Sequence, residues 1–375
     1  MNAGKTLIIG LLMVASLGAF AQHGSTASDN YFVDKKTTAA TPVKNQAMTG
    51  TCWCFSATSL LESQCLLKSG KELDLSEMFT VRNIYLEKAH NYVLRQGHAQ
   101  FGDGGLGQDE IRAVATYGAV PESVYSGLLP GHKMHNHSKM FNLLHKYVDS
   151  IIKTPPLADN WIDGYKKILD DNLGVPPAEF DYEGKHYTPK SFAEELLNIN
   201  PDDYAYLTSF THHPYNSSFI LEVPDNFSNQ SYYNVALNDL ISIAEDAINK
   251  GYPVLWDADV TNHGFMQGKG FALNLDNNAK YTADEIKPDM KEMPYDAAIR
   301  QRLYENLTTQ DDHLMHITGI EKTKDGKTFF IVKNSWGIIG PYNGYINVSE
   351  AYFAINTISL VIPKAGLSKA LQVKL

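Results

Sequence analysis

Cysteine is scarce in this chain, with three in 375 residues, and no pair of them is placed to form a disulfide. If a helix runs over residues 52–69, Cys54 and Cys65 lie ~16 Å apart along its axis, beyond disulfide reach. Cys52 and Cys54, two apart on the same helix, point in different directions. All three read as free thiols. A metal or redox site built on Cys52 and Cys54 is disfavoured because Trp53 separates them and no ligand histidine lies nearby. Basic charge is also short. A net charge of -10 and a pI near 5.7, with no basic patch, argue against a nucleic-acid partner. Long apolar runs are absent beyond residues 7–20, so no transmembrane span is expected. That one run follows Lys5 and ends in Ala19-Phe20-Ala21, the layout of a signal peptide cleaved before Gln22. It predicts an exported protein, periplasmic or secreted, and the lack of a nearby cysteine argues against a lipid anchor.

With 43% hydrophobic and 20% charged residues, the chain has material for a large interior. At this length it suggests two lobes, or one core with a large insertion. Residues 42–56 carry the sharpest signal. Cys52 opens a helical pattern, where unpaired backbone N–H groups and the positive end of the helix dipole favour a thiolate. Gln46, six residues earlier, can fold back and donate its side-chain amide to an oxyanion.

Two distant strand patterns add a base and an orienting amide. The first, from Asp312 to Ile320, contains His313 and His316; the second, from Phe329, ends in Asn334-Ser335-Trp336-Gly337. Odd spacing puts the two histidines on opposite faces of a strand, so only one can look into a cleft. His316 shares its face with Leu314, Thr318 and Ile320, and is taken as the base. His313, beside Asp311 and Asp312, is expected at a solvated strand start. Asn334 can accept from one imidazole nitrogen and so fix the tautomer.

The segment Thr49-Gly50-Thr51-Cys52-Trp53, with the histidine strand and Asn334-Ser335-Trp336-Gly337, resembles the papain superfamily of cysteine peptidases. His316 follows Cys52 by about 264 residues, against roughly 130–150 in compact members, so a large segment is inserted. Gly104-Gly105-Leu106, the stretch from Tyr117 to Tyr125, His213-Pro214-Tyr215 and the approach to Trp256 narrow the resemblance to the bleomycin hydrolase and aminopeptidase C branch. The resemblance implies a Cys52-His316-Asn334 catalytic set, Gln46 in the oxyanion hole, and a role for Trp336 in shielding the histidine–asparagine bond. It also implies main-chain contacts to a peptide at Gly104 and Gly105. Peptide substrates, no cofactor and a possible homo-oligomer, hexameric in relatives, are implied too. In that branch the enzyme's own C-terminal arm holds the substrate amine; here residues 363–375 look short for that task. If Leu375 reaches the cleft it sets exopeptidase action, and if not the cleft is open to internal cutting. An exported endopeptidase and a catalytically silent peptide-binding protein are the competing readings.

The expected fold is α+β, with a helical lobe and an antiparallel β lobe flanking a cleft, and a large helical insertion. The divisions are a signal peptide at 1–21, a flexible leader at 22–41 and a peptidase domain at 42–375. Within the domain, the helical lobe covers 42–130, the insertion 131–234, the β lobe 235–362 and the tail 363–375. The leader is too short to be a folded inhibitory propeptide. The histidine groups at 132, 135 and 137 and at 212 and 213 are read as loop histidines rather than metal ligands.

Overall fold

The protein is described by a computed structural model over residues 31–276, 279–282 and 285–375. The signal-peptide expectation falls outside these residues. The described residues begin with a strand, β1 (Phe32–Thr37), within the segment expected as a flexible leader. It pairs with a later strand at Gly319, whose missing side chain matters: a Cβ there would press into the Lys36 carbonyl.

Three helices follow. α1 (Cys52–Ser69) has neither glycine nor proline inside it and stops at Gly70, whose left-handed φ of 69° lets its N–H cap Leu66 O. α2 (Glu77–Leu94) starts at Ser76, whose hydroxyl accepts the Phe79 N–H. α3 (Gly107–Tyr117) is held at its start by Asp109, which accepts the Leu106 N–H. α1 is the central element, its first fourteen residues all buried.

The insertion holds α4 (Ser138–Ile152) and α5 (Trp161–Leu173), the hairpin β2 (Phe180–Tyr182) and β3 (Lys185–Tyr187), and the short α6 (Pro189–Phe192). It also contributes β4 (Tyr204–Thr208), β5 (Ser217–Ile220) and β6 (Ser231–Asn234), so it is not purely helical. The proline- and asparagine-rich stretch here hides strands because each is only four or five residues long.

The remaining elements are α7 (Leu237–Asn249), β7 (Val254–Ala258), β8 (Phe265–Met266), β9 (Phe271–Ala272) and α8 (Ala297–Glu305). They are followed by β10 (His313–Thr323), β11 (Thr328–Lys333), β12 (Tyr345–Ser349), α9 (Glu350–Asn356), β13 (Thr357–Pro363) and α10 (Lys369–Gln372). The main sheet runs β5-β6-β4-β13-β7-β10-β11-β12-β9-β8, with β1 also on β10. It is mixed rather than antiparallel throughout, since β4–β6 and β9–β12 pair in parallel.

Alternation along the central strands divides two interiors. Leu255, Leu314 and Val361 meet Trp53, Leu60 and Leu61 of the helical lobe. On the other face, Trp256, Met315, Phe330 and Leu360 pack with α7 and α9. Burial of each large apolar side chain stabilises the fold by about 1.5–3 kcal/mol. The helical lobe is thereby fixed against the β10 face that carries Leu314 and His316.

Candidate active site

Cys52 is the first residue of α1 and is 8% exposed. The backbone N–H of Leu314 points at its sulfur, which makes the thiol a neighbour of the start of β10. Burial, reinforced by the carboxyl groups of Asp225, Asp311 and Asp257, pushes the thiol up to about 12. Gln46, six residues before it in the chain, has a defined orientation. Ser335 Oγ donates to Gln46 Oε1 at 2.6 Å, so Nε2 is the donor end; one of its hydrogens goes to Thr49 O at 2.8 Å. The second hydrogen is available for an oxyanion.

The ring that faces Asn334 belongs to His313, not His316. His313 Nε2 lies 2.8 Å from Asn334 Oδ1, and the ring stacks on Trp336 at 4.7 Å between centroids. The tautomer follows from the bonds behind it. Gln267 Nε2 donates to Tyr345 O at 3.2 Å, so Gln267 Oε1 accepts Asn334 Nδ2 at 3.0 Å. Asn334 must then present its oxygen to the imidazole. His313 Nε2 carries the hydrogen, and Nδ1 is the free basic nitrogen. Burial lowers His313 to about 4, opposed by the Asn334 bond.

The expectation for His316 is corrected accordingly. His316 is fully buried, and Ser59 Oγ lies 2.9 Å from its Nδ1. Lys333 Nζ donates to the same hydroxyl at 2.7 Å, so the hydroxyl hydrogen points to the ring. His316 Nε2 is buried, and no acceptor among the described residues reaches it. Burial, then Lys333, hold this imidazole well below its usual range. The alternation argument was sound in separating the two histidines. It failed because the Leu314–His316 face is covered by α1, and His316 sits ~10 Å further along the strand than His313. His313 is no solvated histidine either, at 4% exposed.

Gly105 backs onto the Trp53 ring, and the indole N–H of Trp53 donates to Asp103 O at 3.1 Å. The carbonyls of Gly102 and Gly104 both accept from Lys88 Nζ. Gly104 therefore has less main chain to offer a peptide than Gly105. In front of it stands the Asp225 carboxylate, which a Cβ at Gly104 would overlap.

The C-terminal tail takes another course. Leu371 and Leu375 join the apolar cluster on the α7 face, and Lys364 Nζ donates to Leu375 O at 3.0 Å. That is the sheet face opposite Leu314, away from Cys52. His212, His213 and Glu222 form the one group of metal-ligand type found among the described residues. Its hydrogen bonds have the wrong polarity for an ion. Gln301 Oε1 accepts the Thr211 N–H, so its Nε2 donates to His212 Nδ1. His212 Nε2 must then carry hydrogen, and with His213 Nε2 it clamps Glu222, at 3.1 and 2.8 Å. All three cysteines are free thiols, and Cys54 donates to Glu110 in the interior.

A family described as "Peptidase C1-like" matches residues 98–375, and "Papain family cysteine protease" matches residues 29–83. The chain belongs to the peptidase C1-like family. It is a cysteine-type peptidase of papain-like fold, in the bleomycin hydrolase and aminopeptidase C branch. It is 25% identical to aminopeptidase C of Listeria monocytogenes, over 88% of this chain and 81% of that one. Aminopeptidase G of Lactobacillus delbrueckii is 24% identical, over 88% and 82%. In fold it is similar to a crystal structure of pepw from Lactobacillus rhamnosis, with a TM-score of 0.70, 21% identity, and 90% and 83% coverage.

These relatives overturn the expectation of an exported protein. Among them a Saccharomyces cerevisiae relative that is 24% identical, over 90% of this chain and 77% of that one, is named "Cysteine proteinase 1, mitochondrial". Among the described residues no helix is long and apolar enough to cross a membrane. The sequence reading missed Gln267 and Asp225, both in loops and outside any contiguous motif.

Proposed function

We propose that Cys52, His313 and Asn334 are the catalytic set of this peptidase, with Gln46 in the oxyanion hole, and that it removes residues from free N-termini. The observation that carries this is the Gln267–Asn334–His313 chain of hydrogen bonds under Trp336, which leaves one basic nitrogen on the residue next to Leu314, whose N–H points at the thiol at the start of α1. Neither group charges alone near neutrality, because burial disfavours both the lone thiolate and the lone imidazolium. A proton passed from Sγ to Nδ1 creates the two charges side by side, where each stabilises the other.

The sulfur then bonds to the substrate carbonyl carbon, and the oxyanion is held by Gln46 Nε2 and the Cys52 N–H. His313 gives its proton to the leaving amine as the C–N bond breaks. Water, deprotonated by His313, attacks the thioester and releases the acid, returning the thiol. No cofactor takes part in these steps. Peptides are the substrates, and a homo-oligomer belongs to the same reading by family resemblance, to be checked by light scattering.

Internal cutting is the second reading, favoured by the position of Leu375 away from the nucleophile. The test compares fluorogenic amino-acid and peptide substrates with free and acetylated N-termini, with Cys52→Ala as control. Equal turnover of both substrate types would rule out the aminopeptidase. Failure of a thiol-directed epoxide to label Cys52 would indicate a silent peptide-binding protein.

A further inference from the structure

Strands β5 and β6 pair in antiparallel register with Ile220 opposite Ser231, an arrangement that a two-residue turn would close. Residues 221–230 join them instead. This loop is folded on itself at its neck. Asn226 Nδ2 donates to Leu221 O and Gln230 O, each at 2.9 Å, and Asn226 Oδ1 accepts the Gln230 N–H at 2.9 Å. Leu221 and Asn226 are buried, so the loop is packed by its own side chains. Compact loops with close ends and such internal packing often serve a function.

The loop is fastened to both lobes. On the helical side Val223 and Phe227 pack against the interior around α1, Lys88 Nζ stands 5.1 Å over the Phe227 ring, and Gln108 Nε2 donates to Asn226 Oδ1 at 3.3 Å. On the side of the β lobe, Tyr304 Oη of α8 donates to Glu222 O at 2.7 Å, and the Asp225 N–H donates to the Asp311 carboxyl. Between these anchors the Asp225 side chain fills the space in front of Gly104. The loop thus crosses from Gly104 to Asp311, from one lobe to the other.

Both ends of the crossing adjoin the catalytic set. Gly104 precedes Gly105, which backs onto the ring of Trp53, the neighbour of Cys52. Asp311 is two residues before His313. The side of the cleft that is crossed follows from the leaving group. His313 passes its proton to the leaving amine, its ring lies on Trp336, and Trp336 bridges to Asn45. The leaving peptide therefore departs over Trp336 and Asn45, and the acyl portion extends the other way, toward Gly105 and the loop.

We propose that residues 221–230 are a strap that closes the acyl side of the cleft and so limits how many residues can precede the scissile bond. This rests on the Cys52–His313 peptidase reading above. Exopeptidase action is then a matter of obstruction. An extended chain advances ~3.3 Å per residue, so within a few residues of Gly105 it meets backbone that is bonded to both lobes.

The test uses three fluorogenic amides of one amino acid: with a free amine, acetylated, and acetylated with three further residues before it. The last two share an uncharged end and differ in length alone. The kcat/KM is measured for the full chain, for a variant in which residues 221–230 are replaced by Asn-Gly, and for Asn226→Ala. The last keeps the loop's length and loosens its neck, so the question is answered even where the shortened chain fails to fold. Cys52 labelling by iodoacetamide is followed beside each, because it reports the nucleophile and not the strap. The wild type is expected to turn over the long acetylated amide about 100-fold more slowly than the short one, and the variants to narrow that gap by about 10-fold or more with labelling unchanged. Equal turnover of the two acetylated amides by the wild type would overturn the strap. If both are then poor beside the free amine, the aminopeptidase reading stands without it. An unchanged gap in a variant that labels normally would also overturn it. Absence of labelling and of turnover in the wild type would instead sink the underlying reading, and the strap with it.

Discussion

The Nε2 atom of His313 lies 2.8 Å from Oδ1 of Asn334, and this one bond decides which of two histidines three residues apart has its other nitrogen free. The stack on Trp336 covers the ring face and keeps water from competing for that bond. His316 has no comparable arrangement, being held by Ser59 and Lys333 inside the fold.

Exchange of the two histidines gives opposite outcomes. His313→Ala is expected to lower kcat/KM by ~10³-fold or more while leaving the melting temperature near wild type. His316→Ala is expected to keep most activity per folded molecule but to lose ~2–4 kcal/mol of stability, since it empties a fully buried site and strips a partner from Ser59. Steady-state kinetics beside urea melts check this, and the reverse pattern would return the catalytic role to His316.

Gln267 acts on the reaction through Asn334. Gln267→Met removes both ends of the bond chain from Tyr345 O to Asn334 Nδ2. The expected effect is a drop in kcat of up to ~10²-fold with little change in KM, because the imidazole loses its fixed orientation. A change in KM alone would show that Gln267 touches substrate instead.

The pH dependence carries the signature of a buried neutral imidazole. His313 is lowered to about 4, so the base is lost only as pH falls toward 4. Since the Asn334 bond favours the charged ring, Asn334→Ala moves this acid limb to still lower pH while reducing the rate. Unfolded histidine, near 6.5, binds protons more readily than the folded ring. The contribution to stability is therefore full above about 6.5 and is lost as pH falls from there to about 4. Rate profiles and melts from pH 3.5 to 7 test both signs.

Glu110 has the opposite sign. Buried and accepting from Cys54, Thr58 and Thr80, its carboxyl is raised to about 8, with burial as the main cause. The folded state holds its proton longer than the unfolded one. Its contribution is full below about 4.5 and is lost as pH rises to about 8. Glu110→Gln cannot ionise, so the variant should gain in melting temperature relative to wild type between pH 5 and 8.5. A constant difference across that range would refute the assignment.

Local chemistry was legible where the residues are contiguous. Gln46 and Cys52 sit together because a turn and a helix start are local structures, and Asn334 and Trp336 follow the end of one strand. The helices at residues 52–69 and 237–249 and the strands from residue 254 onward were readable from periodicity and β-branched content. Strand β1 was not, because FVDKKT carries little apolar signal and is held by backbone bonds to β10. Gln267 and Asp225 were silent for a related reason: loop polar residues acquire meaning only from what faces them.

By itself the sequence determined that Cys52 opens a helix six residues after Gln46, that Asn334 and Trp336 follow the end of one strand, and that His313 and His316 face opposite ways. A two-residue period fixes facing only in relative terms. Which face was open depended on α1 lying across Leu314 and His316, and which carboxyl groups met beside Cys52 depended on a loop inserted more than a hundred residues away. Those are contacts between distant parts of the chain, set by packing, and only the tertiary structure decided them.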